Sequence, residues 1–185
     1  MINDVIKDAK QRMEGAVNSF SGNLGGLRTG RASPSLLDSV VVDVYGSKMP
    51  IAQVGTVSVP ESRMLSVQVW DKSNVNSVAK AITASNLGLN AIADGSLVRV
   101  PIPDLSEERR KEMVKIASQY AENSKISVRN VRRDAIDSLK KLEKDSEISE
   151  DEQHKANDDI QKETDKFIKE IDANFETKQK DIMEV

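Results

Sequence analysis

The apolar residues of this chain change their spacing twice, and that change constrains the fold more than any other feature. From Ile2 to Leu27 they recur in steps of three and four, at Ile2, Val5, Ala9, Met13, Ala16, Phe20, Leu24 and Leu27, with Ile6 and Val17 widening the stripe. This is the rhythm of a helix packed along its length on other helices. From Val40 the alternation becomes that of strands. From Ser106 the helical rhythm returns through Met113, Ala117, Tyr120, Ser124, Val128, Val131, Ala135, Leu139 and Leu142. A helix near the N-terminus with an exposed stripe and no local partner must be covered by helices from the far end of the chain.

The spacing predicts a helix over 2–28, with Gly22, Gly25 and Gly26 weakening its last turns by about 1 kcal/mol each relative to Ala. That end is expected to be held by packing or to fray. Gly30 and Pro34 break the pattern. Residues 40–46 read as a strand, Gly46 and Ser47 as a turn, and Met49–Val54 as a short return strand. Residues 56–60 and 63–70 alternate. Residues 74–86 carry Val75, Val78, Ala79 and Ile82 at helical spacing, with Asn74 as cap and Gly88 supplying a left-handed position beyond the end. A last strand runs into Pro101 and Pro103. Ser106 is the expected N-cap of a helix of roughly 40 residues, about 60 Å long. Lys144–Ser149 interrupts it, and Ser149 with Glu152 forms a capping box for a final helix. The expected fold is α+β and L-shaped. A long antiparallel three-helix bundle takes 1–30 and 105–185, and a small β/α domain is inserted at 31–104. Gly30 and Pro34 on one connection and Pro101 and Pro103 on the other are the expected hinge.

Groups able to do chemistry are scarce. There is no cysteine, which excludes disulfides and thiolate metal sites and points to a reducing compartment. His154 is the single histidine and follows an acidic run, so a solvated surface role is expected and no common zinc site is available. No GxxxxGK[ST] loop and no serine elbow occurs, and Asp158–Asp159 lies in a charge-rich helix. The N-terminal residues lack the apolar run of a signal peptide, and no stretch approaches the ~18 apolar residues of a membrane helix. A binding protein is expected, with no catalytic residues, no cofactor and no metal.

Charge points to the partner. The net charge is −3, yet residues 106–145 hold eleven Lys or Arg against eight Asp or Glu, and residues 146–185 hold six against thirteen. The basic excess concentrates at Arg129, Arg132 and Arg133, which helical spacing puts on adjacent parts of one face, with Lys125 a turn before. One reading is a solvated face with ion pairs such as Arg133 to Asp137. The other is an RNA-phosphate surface, for which the planar guanidinium fork is suited. Three Arg within five residues, where Lys would serve solubility equally, favours the second, and Arg28 and Arg31 add guanidiniums at the hinge end. With so few aromatics, contact through phosphate and shape is expected in place of base stacking. The rival is an adaptor that binds proteins through its bundle; an enzyme is a weaker third reading.

Residues 27–38 (LRTGRASPSLLD), 104–115 (DLSEERRKEMVK) and 127–135 (SVRNVRRDA) resemble the ribosome recycling factor family, as do SNLGLN at 85–90, the VRVPIP strand and EISEDE at 147–152. The likeness runs through the whole chain. It implies a cytoplasmic, monomeric translation factor that binds the post-termination ribosome, not DNA or a membrane. With elongation factor G and the GTP that partner hydrolyses, it would split the subunits. The resemblance places the bundle against large-subunit RNA and lets the smaller domain swing about the hinge. It makes Arg132 the leading RNA contact, flanked by Arg129 and Arg133, and sets Arg28, Thr29, Gly30 and Arg31 in a signature at the hinge.

Overall fold

Each change of apolar spacing becomes a change of secondary structure in the computed structural model, which describes residues 1–27, 29 and 31–184. In chain order the elements are α1 (Ile2–Gly25), β1 (Val41–Val44), β2 (Ser47–Pro50), β3 (Gly55–Glu61), β4 (Met64–Val69), α2 (Val75–Ala84), β5 (Ile92–Asp94), β6 (Leu97–Pro101), α3 (Glu107–Lys144) and α4 (Glu150–Met183). Single 3-10 turns stand at Pro34–Leu37, Ile51–Gln53 and Lys72–Asn74. The architecture is α+β. The chain forms two compact units, Met1–Leu24 with Lys115–Gln179, and Gly25–Val114 with Lys180–Val185.

The first unit is a three-helix bundle. α1 buries Ala9, Met13, Val17, Phe20 and Leu24; α3 buries Ala117, Ala121, Ser124, Val128, Val131, Ala135 and Leu139; α4 buries Ala156, Ile160, Thr164, Phe167 and Ile171. Large side chains such as Phe20 and Met13 each contribute about 1.5–3 kcal/mol by leaving water. Polar ties set the direction. The Ser124 hydroxyl donates to the Ala16 carbonyl at 3.2 Å and Arg12 pairs with Asp134 at 2.9 Å, so α1 runs antiparallel to α3. Lys125 pairs with Asp172 and Arg132 bonds Gln161, so α4 runs antiparallel to α3 in turn. The turn between them is locally specified. The Ser146 N–H bonds the Glu143 carbonyl and the Glu147 N–H bonds the Leu142 carbonyl, both at 2.9 Å, with Ser146 left-handed at φ 59°. That is a Schellman motif, with serine where glycine is usual. Ser149 and Glu152 then exchange reciprocal bonds of 2.8 and 3.2 Å as the expected capping box.

In the second unit β3-β4-β6-β5 form an antiparallel sheet, and β1-β2 a separate hairpin. Val42, Leu65, Val67, Val78, Ile82, Val98 and Val100 are wholly buried and share one core. Several details differ from the sequence expectation. The hairpin turn is Tyr45–Gly46, both at positive φ, so Ser47 already belongs to β2. The return strand ends at Pro50, and Ile51–Gln53 is a 3-10 turn. Asn74 makes no side-chain cap because its backbone is already helical. Asp71, in extended conformation, accepts from the Ser73 N–H instead. β5 was not anticipated, because all three of its residues are exposed and carry no alternation.

The glycine-rich end of α1 is held by hydrogen bonding as well as burial. Ser35 donates its hydroxyl to the Gly25 carbonyl at 3.2 Å, and Leu27 is buried. The expected cap of α3 forms, with the Arg109 N–H on the Ser106 hydroxyl at 3.1 Å.

Candidate nucleic-acid interface

An unbroken α3 carries Arg129, Arg132 and Arg133 on adjacent parts of one face, and Arg132 reaches α4. They are not equivalent. Arg132 is half-buried and donates from Nη1 to Gln161 Oε1 on α4 at 3.0 Å. Gln161 donates in turn from Nε2 to Asp165 Oδ1 at 2.8 Å. The Nε of Arg132 is shut off from solvent with no partner. Arg129 is exposed and lies 3.4 Å from Glu122, a pairing of little energetic consequence at that exposure. Arg133 is exposed and pairs with no carboxylate among the described residues, Asp137 included. Lys125, which continues the stripe, is committed to Asp172, its side chain only 20% exposed.

The hinge-end residues belong to the second unit. Arg31 is exposed and pairs with Glu184 at 2.8 Å, while its N–H donates to the Thr29 hydroxyl at 3.3 Å. Arg28 and Gly30 lie outside the described residues. Pro34 opens the first 3-10 turn, where its fixed φ and missing N–H cost nothing. Pro101 is the last residue of β6, in register with Met64, and Pro103 stands between β6 and α3. Both connections are tied to the β3–β4 turn. The Ala32 N–H donates to the Ser62 carbonyl at 2.7 Å and the Ile102 N–H to the Arg63 carbonyl at 2.8 Å; Arg63 also pairs with Asp104.

Two arginines escaped the sequence reading. Arg12 pairs with Asp134, beside Arg133 in sequence, and with Asp8 at 3.8 Å. Arg110 is buried, its Nε without a partner. A signal for Arg110 existed: it stands three residues before Met113 and seven before Ala117, on the apolar stripe itself. The run of charges from Glu107 to Glu112 masked it. Gln161 and Asp165 had no such signal, because their importance depends on the α3–α4 register.

Elsewhere, the Asp71 carboxyl is held below its ordinary value by the Tyr45 hydroxyl, with further help from Ser73. Glu152 is lowered by the Ser149 N–H and hydroxyl. His154 is exposed, 3.6 Å from Glu150. Among the described residues no group of three or more His, Cys, Asp or Glu could hold a metal ion, and no helix is long and apolar enough to cross a membrane. The chemistry on offer is a set of guanidiniums, one held by α4 and two exposed, suited to phosphate oxygens.

Comparison with known proteins shows the family. The ribosome-recycling factor of Novosphingobium aromaticivorans is 60% identical over 176 residues, 95% of each chain, and that of Brucella suis 58% over 180 residues, 97% of each. A solution structure of the ribosome recycling factor, 43% identical, superposes with a TM-score of 0.79 over 100% of this chain and 98% of that one. The T. thermophilus ribosome recycling factor, in a structure with E. coli elongation factor G bound to the E. coli post-termination complex, gives 0.71 at 42% identity over 99% of both chains. Residues 20–183 match the family model for ribosome recycling factor. With α3 and its arginines inside the matched span, this chain belongs to the ribosome recycling factor family.

Proposed function

We propose that this chain is a translation factor that binds the post-termination ribosome and, with elongation factor G and the GTP carried by that factor, separates the subunits for another round of protein synthesis. The observation that carries this reading is its whole-length likeness to a factor placed with elongation factor G in the post-termination complex. The chain itself is not an enzyme in this reading: the work is done by hydrolysis on the partner, and this chain transmits it. It acts in the cytoplasm as a monomer.

Large-subunit RNA is contacted through Arg129, Arg132 and Arg133 on α3, with Arg28 and Arg31 contributing near the hinge. Arg132 leads because α4 holds it in place. The bundle of 1–30 and 105–185 anchors, and the 31–104 domain moves. The hinge comprises Gly30 and Pro34 on one connection and Pro101 and Pro103 on the other, the glycine supplying backbone freedom in this reading. Pro34 and Pro101 stiffen the domain side of each connection.

Subunit dissociation from post-termination ribosomes tests the proposal. The complete mixture of this protein, elongation factor G and GTP is expected to dissociate the subunits, and omission of any one to stop it. No dissociation in the complete mixture overturns the reading.

A further inference from the structure

We infer that Gln161 is a positioning residue for ribosomal RNA binding: from α4 it sets the Arg132 guanidinium so that its unbonded Nη2 faces a phosphate. This rests on the reading of Arg132 as an RNA contact and extends it to a residue on a different helix.

The argument begins with what Arg132 has given up. An arginine kept only for solubility extends its head into water. Arg132 does not. Its Nη1 is bound to Gln161 Oε1 and its Nε is enclosed without an acceptor. Leaving a charged donor unsatisfied is costly, and such a group calls for an explanation. A guanidinium has a side-on fork, Nε with Nη2, and an end-on fork, Nη1 with Nη2. Enclosure of Nε closes the side-on fork. Nη2, neither enclosed nor bonded within the protein, remains for an external acceptor such as a phosphate oxygen.

Gln161 is itself constrained. Its Nε2 donates to Asp165 Oδ1, one helical turn on. An amide oriented by a carboxylate on its nitrogen presents its oxygen toward α3. The chain Asp165, Gln161, Arg132 therefore passes orientation from α4 to the RNA-facing helix. Its middle member is neutral, so Arg132 keeps its full charge for the RNA. Lys125, about two turns away on the same flank, shows the alternative: paired directly with Asp172, its charge is spent within the protein.

The experiment is binding to purified large ribosomal subunits across a KCl titration, using the full chain. Gln161→Leu is expected to weaken binding about tenfold, the lower end of the worth of one hydrogen bond to a charged group, while the slope of log affinity against log salt is unchanged because Arg132 keeps its charge. Arg132→Ala should weaken binding at least as much and lower the slope by about one. The double variant should bind no worse than Arg132→Ala alone. Gln161→Glu keeps an acceptor but pairs Arg132 internally, so the slope should again fall by about one; it also serves if circular dichroism shows that the leucine variant has lost helix.

Wild-type binding by Gln161→Leu, with Arg132→Ala impaired, overturns the role of Gln161 and leaves the function standing. Fully additive losses in the double variant overturn it too, since Gln161 would then act without Arg132. Wild-type affinity and slope in Arg132→Ala would overturn the RNA-contact reading itself.

Discussion

Single residues in this protein carry consequences that composition hides. Gly55 stands opposite Val69 in the β3–β4 ladder, and a Cβ there would lie 2.5 Å from the Gln68 carbonyl oxygen and 3.1 Å from a Val67 methyl. Backbone cannot yield as a flexible side chain can. Gly55→Ala is therefore expected to lower stability by about 1–3 kcal/mol, read as a lower urea midpoint with the slope unchanged. Glu152 offers a pH test. Its folded value lies below the ordinary 4.5 because the Ser149 N–H and hydroxyl bind the ionised form. A depressed folded value gives stability that is complete above the unfolded value and is lost as pH falls through the folded one. Urea denaturation at about pH 6 and about pH 3, on either side of the ordinary carboxylate range, should show a smaller acid-induced loss in Glu152→Gln than in the parent. An equal loss would mean the capping box contributes nothing that depends on charge. The capping box was legible in the sequence because its partners are three residues apart; the close approach at Gly55 was not, because its neighbour lies on another strand.

At the scale of elements, the junction between α3 and α4 is closed by backbone bonds at one helix end and by side chains at the other. Ser146 adopts the left-handed conformation of the Schellman turn. For a residue with a Cβ that costs roughly 1–2 kcal/mol, part of which glycine would give back through its freedom in the unfolded chain. Ser146→Gly is expected to raise stability by about 0.5–1 kcal/mol, measurable as a higher melting temperature at unchanged helicity. The same logic separates what element-level reading could find. Long stripes such as Val128, Val131, Ala135 and Leu139 repeat often enough to declare a helix and its buried face. β5 has three exposed residues and exists because β6 offers it a pairing edge, so its own residues carry no pattern to detect.

Over the whole molecule, charge is divided by function more finely than by segment. The carboxylates of α4 fall into different sets. Asp172 and Asp165 serve the α3 flank, the first by pairing Lys125 and the second through Gln161. Asp158 is exposed, and Asp159 lines a groove of about 540 Å³ with Met1, Ile2 and Ile148. Neither touches the arginine flank through any described bond, so neutralising both with Asp158→Asn and Asp159→Asn is expected to change ribosome affinity less than about twofold, within the usual scatter of exposed sites. A large loss would place α4's outer face against the RNA. Ribosome affinity of the unaltered protein should fall steeply with salt as phosphate-bound cations are released; affinity indifferent to salt would favour contacts with protein over contacts with RNA.

The sequence alone determined the succession of helix, strand and helix, the caps at Ser106 and Ser149, the scarcity of reactive groups and the arginine cluster on α3. Each is written in residues within a few positions of one another, where helical or strand geometry makes spacing equivalent to proximity. Tertiary structure decided which arginine is held and which is free. Arg132 and Gln161 are 29 residues apart and meet only because α4 returns antiparallel along α3 in one register. Arg12 and Asp134 are 122 apart and meet by the return of the chain to α1. Pairings at that separation depend on the packing of whole helices, so no local spacing could have announced them.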